Sequence, residues 1–194
     1  MKVLNLSRQG ASYTANAYLV LGTWNTLSDV NTLVDVGRDP ALIDRLMEVN
    51  TGVGKRRVDQ VVLTHSHYDH ASLLPVIQEM FSPKVYAYSP SVPGAEKLRG
   101  GEHLRFGDEE FEVVHVPAHS QDSICLLGRR SKVLFSGDTP LRFHTDPQGY
   151  DVSIAAALEK ISRARVKTIY PGHGEPITDQ AAALIDDALR ASQS

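Results

Sequence analysis

The stretch Val61-Val62-Leu63-Thr64-His65-Ser66-His67-Tyr68-Asp69-His70 sets three histidines and a carboxylate directly behind an apolar run. The run over 58–64 reads as a short buried strand. Imidazole and carboxylate are ligands for zinc, and equally for iron or manganese. In a regular strand His65, His67 and Asp69 would share one face while His70 pointed away. A turn after Asp69 would bring His70 in from another direction. One histidine after a strand would read as a polar turn, but ligands at this density read as a metal site.

Working outward, the same pattern recurs. Val113–Pro117 leads to His119, Val133–Phe135 leads to Asp138, and Val166–Tyr170 leads to His173. Glycines beside Asp138 and His173 permit tight turns and close backbone approach. The combined set is His65, His67, Asp69, His70, His119, Asp138 and His173. That is too many ligands for one tetrahedral ion and suits two ions sharing a carboxylate. The expected cofactors are two divalent metal ions, zinc foremost, with iron or manganese served by the same ligand types.

The rest of the chain interleaves strands and helices. Strands are predicted at 17–21, 31–36, 84–89, 124–127, 133–135 and 166–170, and around a Gly107-Asp108 turn within 106–116. Helices are predicted over 40–49, 71–80, 91–98, 152–164 and 178–191. Asp39-Pro40 marks one helix start, and Thr178 and Asp179 are candidate caps for the last. The pattern implies a layered α/β fold, with short hairpin-linked strands arguing against a purely parallel sheet. At 194 residues, the chain is read as a single domain over 1–194.

Composition excludes several classes. The chain is 42% hydrophobic and 22% charged with net charge −3, which does not suit a nucleic-acid binder. Lys55-Arg56-Arg57 is the one basic cluster and reads as a solvated loop. No apolar stretch approaches the roughly 18 residues of a membrane span, and the polar residues near Met1 do not suit a signal peptide. The single cysteine, Cys125, lies on a predicted strand and reads as a core residue. A cytoplasmic protein is expected, with no membrane or nucleic-acid partner and no readable oligomeric state. No Gly-x-Ser-x-Gly elbow or credible Cys–His pair points to a serine or cysteine hydrolase.

The His-x-His-x-Asp-His motif, followed in order by His119, Asp138 and His173, resembles the metallo-β-lactamase-fold hydrolase superfamily. Its ligand set is similar to that of the glyoxalase II-like branch. The resemblance implies a four-layer αββα sandwich with the site at one edge between two sheets. It implies that His65, His67 and His119 hold a first metal, that Asp69, His70 and His173 hold a second, and that Asp138 bridges them. Asp35, in Leu33-Val34-Asp35-Val36-Gly37, matches an early aspartate that supports the ligands from behind. Dedicated β-lactamases of the main zinc class carry a cysteine where this chain has Asp138. The helical domain that helps glyoxalase II bind glutathione is not expected, since the sequence ends about twenty residues after His173. Thr139–His144 also lacks that branch's glycine- and cysteine-containing stretch, so glutathione is not the expected substrate.

The expected activity is hydrolysis of a small ester, thioester or lactone by a metal-bridging hydroxide, with Asp69 also able to move a proton. Ser136 and Thr139 are candidates for holding the imidazoles by hydrogen bonds. Tyr68, Arg142 and His144 are candidate substrate contacts, while His103 and His115 read as surface or strand residues. The alternative reading is a mononuclear iron enzyme resembling persulfide dioxygenases, held by two histidines and a carboxylate. A non-catalytic binding module on the same fold is a third, disfavoured by the intact ligand set.

Overall fold

The computed structural model describes residues 1–7, 13–141 and 152–193. Its strands are β1 (Lys2–Asn5), β2 (Tyr18–Leu21), β3 (Thr32–Val34), β4 (Gln60–Val62), β5 (Lys84–Ala87), β6 (Glu96–Lys97), β7 (His103–Phe106), β8 (Glu109–His115), β9 (Ile124–Gly128), β10 (Val133–Gly137) and β11 (Thr168–Pro171). Its helices are α1 (Ala41–Glu48), α2 (Tyr68–Ala71), α3 (Leu74–Phe81), α4 (Val152–Arg163) and α5 (Ala181–Ser192). One sheet runs β1-β2-β3-β4-β5-β6 and the other β11-β10-β9-β8-β7. The first is antiparallel through β3 and parallel beyond it; in the second, β10 and β11 are parallel and the remaining pairs antiparallel.

Period-two packing explains why the strands read as unbroken apolar runs. In β2, Tyr18 and Val20 face the layer between the sheets, while Leu19 and Leu21 face the layer under α1 and α3. In β9, Ile124 and Leu126 point between the sheets, and Cys125 and Leu127 point toward α4 and α5. Phe106, Phe111 and Phe135 fill the middle of that inter-sheet layer. Three apolar layers separate helix, sheet, sheet and helix, which is the αββα sandwich. Cys125 is fully buried, as a core residue should be.

Strand direction places the site. β3 and β4 are parallel, so Asp35 and Thr64 emerge at the same end. β8 and β10 both pair antiparallel with β9, and β11 runs parallel to β10, so the segments after β8, β10 and β11 also share an end. The Ile124 N–H donates to Thr64 O at 2.8 Å and joins the two sheets at that edge.

Several local expectations are corrected. The 91–98 segment is no helix: Pro93 removes a donor, Gly94 sits at φ +71°, and Glu96–Lys97 pairs with β5. The helix expected over 71–80 splits, with α2 beginning at Tyr68 and α3 starting afresh with Pro75 in its first turn. Thr178 and Asp179 do not cap α5; Gln180, in the left-handed region at φ +60°, precedes it without a side-chain cap. β1, absent from the sequence reading, is an edge strand against β2.

Lys55-Arg56-Arg57 is not a solvated loop. Lys55 donates to Thr26 O and Asp29 O, Arg56 to Phe81 O and Ser82 O, and Arg57 to Leu46 O and Val49 O. Arg56 and Arg57 thereby satisfy carbonyls at the C-terminal ends of α3 and α1, where cations are favoured. Among the described residues, no helix is long and apolar enough to cross a membrane.

Candidate metal centre

The chain leaves β4 and runs extended through His65 and His67, then turns helical at Tyr68. The turn therefore comes before Asp69 rather than after it. Asp69 and His70 are successive helical residues and approach the site from a direction His65 and His67 do not. His119, Asp138 and His173 arrive from the loops after β8, β10 and β11.

All seven side chains converge in three overlapping groups: His65, His67 and His119; His65, His70 and Asp138; and Asp69, His70 and His173. Within each group the ligand atoms lie within 4.8 Å of one another. Bonds of about 2.1 Å to one ion would close that spacing with small side-chain shifts. Asp138 reaches both ends: Oδ1 lies 3.3 Å from His70 Nε2, and Oδ2 lies 3.6 Å from His119 Nε2 and 3.4 Å from His173 Nε2. His119 Nε2 and His67 Nδ1 are 3.0 Å apart, and His173 Nε2 is 3.1 Å from Asp69 Oδ2.

Metal ions fit this donor set on grounds of satisfaction alone. His65 Nε2, His70 Nε2, Asp138 Oδ1 and His173 Nε2 are buried without an aligned hydrogen-bond partner. Buried polar atoms in proteins are ordinarily paired, and a shared cation would satisfy this cluster. Gly172 makes the packing possible: a Cβ there would lie 2.1 Å from Asp138 Oδ1 and 2.8 Å from the His70 ring.

The surrounding residues fix the rings. Asp35, buried at φ +55°, accepts from Thr64 N and Thr64 Oγ1, both at 2.7 Å, and faces His70 Nδ1 at 2.8 Å. With Nδ1 engaged by the carboxylate, Nε2 of His70 is directed at the site. Ser136 and Thr139 hold no site imidazole. Ser136 Oγ donates to Gly137 O, and Thr139 Oγ1 lies against Cys125 Sγ at 3.3 Å. Arg142 and His144 lie outside the described residues.

Three supports have no counterpart in the sequence reading. Asn16 Nδ2 donates to Pro171 O and Gly174 O, and its own N–H donates to Gly172 O, bracketing the turn that carries His173. Asp122 accepts from Ser66 N and Ser120 Oγ. Tyr13 stacks on the His173 ring at 5.1 Å. Asn16 had a legible signal, a lone amide inside the apolar run 15–21.

Protons partly compensate the cluster in the metal-free chain. Burial, aided by charge on His70, pushes the His65 pKa down to about 4. For His70 burial works against the charged ring, but Asp35 and Asp138 outweigh it and push its pKa up to about 10. The Asp138 carboxylate likewise raises His173. Burial works upward on Asp138, yet His173 and His70 hold it far below the usual carboxylate range. An open cavity of about 770 Å³ adjoins the centre, lined by His119, Asp138 and His173 together with the apolar Leu141, Ile177 and Leu184.

The metallo-beta-lactamase superfamily model matches residues 13–100 and 86–173, and the chain belongs to that superfamily. It is 27% identical over 190 residues to an atrochrysone carboxyl ACP thioesterase of Aspergillus fumigatus, covering 91% of this chain and 45% of that one. It is 34% identical over 91 residues to the acyl-coenzyme A thioesterase MBLAC2 of Gallus gallus, covering 43% of this chain and 33% of that one. The chain thus spans less than half the length of either relative. The crystal structure of the BLEG-1 B3 metallo-beta-lactamase superposes with a TM-score of 0.69 at 24% identity, covering 100% of both chains, a likeness of fold.

Proposed function

We propose that this chain is a metal-dependent hydrolase of a small acyl thioester. The observation that carries the proposal is the convergence of His65, His67, Asp69, His70, His119, Asp138 and His173 on one cluster of unsatisfied donor atoms. The thioesterase relatives favour a thioester among the ester, thioester and lactone substrates.

In this reading His65, His67 and His119 hold one divalent ion, Asp69, His70 and His173 a second, and Asp138 both. Such ions, zinc foremost, supply Lewis acidity and a water acidified toward neutrality. Asp35 keeps the His70 ring oriented. Leu141, Ile177 and Leu184, which line the adjoining cavity, offer apolar contacts for the acyl chain. Thioester hydrolysis adds the oxygen of water to the acyl carbon, breaks the C–S bond and returns one proton to the leaving thiolate. In this reading Asp69, partly exposed beside His173, passes that proton.

The test is the metal content of freshly purified protein by elemental mass spectrometry, together with a panel of ester, thioester and lactone substrates. About two divalent ions per chain, with thioester hydrolysis lost in Asp138→Ala, is the expected result. One iron per chain with no hydrolysis would move the reading to the mononuclear oxygenase class, and no metal would overturn it.

A further inference from the structure

Tyr13 and Tyr68 are 73% and 71% exposed, and both sit on segments of the candidate centre. Tyr68 immediately precedes Asp69, and Tyr13 stacks on His173 with the rings 14° from parallel. Between these segments lies Arg38, its guanidinium carbon 5.4 Å from the Tyr68 ring centroid.

The backbone stitches the three together. Arg38 N–H donates to Thr14 Oγ1 at 2.8 Å, Gly37 N–H to His70 O at 3.1 Å, and Ala15 N–H to Asp69 O at 3.2 Å. The Arg38 segment is therefore hydrogen-bonded to the backbone of Asp69 and His70.

Among the described residues Arg38 shares with Arg99 and Arg105 a guanidinium without a carboxylate or carbonyl partner, and of these three it is the one that lies over an aromatic ring. Arg45, Arg56 and Arg57 are engaged with main-chain carbonyls, and Arg129 and Arg130 with carboxylates. Among the described residues, the Arg38 guanidinium has the Tyr68 ring and neither a carboxylate nor a carbonyl. A guanidinium held over a ring by cation–π attraction can still direct N–H donors away from it. That planar fork matches the two oxygens of a carboxylate or phosphate. The ring contact also restricts the side chain before a ligand arrives, which lowers the ordering cost of binding.

We propose that Arg38, held over Tyr68 on the segment bonded to Asp69 and His70, binds an anionic group of the substrate and selects for it. The proposal rests on the hydrolase reading above. The anion is a carboxylate on the acyl side or a phosphate on the thiol side of the thioester.

The test uses full-length protein and three probes with matched acyl chains: a neutral N-acetylcysteamine thioester, the coenzyme A thioester, and an N-acetylcysteamine thioester of a dicarboxylic acid. Arg38→Ala is expected to raise KM for one anionic probe about 10-fold or more relative to the neutral probe, as loss of a charged hydrogen bond implies. The probe affected shows whether the anion lies on the thiol or the acyl side. Arg38→Lys should recover part of the discrimination, since it keeps charge but not the fork. Equal changes on charged and neutral probes, or none on either, overturn the proposal. If wild-type protein cleaves no probe, the hydrolase reading fails but the subsite stays testable. Calorimetric binding of the corresponding uncleavable thioethers should then show the same charge-dependent loss in Arg38→Ala, and a charge-independent result overturns it.

Discussion

The carboxylate of Asp122 accepts the backbone N–H of Ser66 at 2.9 Å and the Ser120 hydroxyl at 2.7 Å. One side chain thereby ties the loop of His65 and His67 to the loop of His119, across the gap between the two sheets. Asp122→Ala should loosen the three-histidine group and lower its metal affinity about 10- to 100-fold. Asp122→Asn retains an acceptor for Ser66 and should lose less. Metal stoichiometry after dialysis against graded chelator checks both.

Gly172→Ala places a methyl where Asp138 Oδ1 now lies, 2.1 Å away. Either Asp138 or the turn after β11 must shift. The expected outcome is reduced metal occupancy with the helix and sheet content of the parent, read by elemental analysis alongside circular dichroism.

The metal-free chain should be most stable near pH 6.5. The pKa of His65 falls from 6.5 to about 4 in the folded chain, so between those values the unfolded state binds more protons and stability is lost as pH falls. The pKa of His70 rises from 6.5 to about 10, so its contribution is full below 6.5 and is lost as pH climbs toward 10. Thermal melts of chelator-treated protein from pH 4 to 10 should trace a dome. A flat profile across this range would contradict the assignment.

The same protons must leave when a metal arrives. Apparent metal affinity should rise with pH below the His70 pKa of about 10. Calorimetric titrations in buffers of different ionisation enthalpy should show proton release on binding.

Phe135 is fully buried between the sheets against Tyr18, Phe106, Phe111 and Tyr170. Phe135→Ala should cost about 3–5 kcal/mol of stability through lost burial and the cavity left behind, measurable by urea unfolding of the metal-free chain.

What was legible in the sequence followed from chemistry with few alternatives. The runs 61–63 and 133–135 are apolar at successive positions because sheets covered on both faces demand it, and ligands dense around His65–His70 have few other uses. What escaped depends on contacts between segments far apart in the chain. The carbonyls that receive Arg56 and Arg57 belong to helix ends, so a basic triplet read as solvated although its donors are engaged. Ser136 and Thr139 neighbour Asp138 in sequence, but their hydroxyls turn toward Gly137 and Cys125. The support of the His173 turn comes instead from Asn16, more than 150 positions away. Pro93-Gly94 was a local signal against the 91–98 helix.

The candidate ligands divide between the two sheets: His65, His67, Asp69 and His70 follow β4, whereas His119, Asp138 and His173 follow strands of the second sheet. During synthesis from the N-terminus, the nascent chain offers an incomplete chelate until β11 has emerged and docked beside β10. Ion capture would then be a late event, a latch that fastens the two half-built layers together after both exist. Chelation would therefore act as a checkpoint on assembly as well as a provision for chemistry.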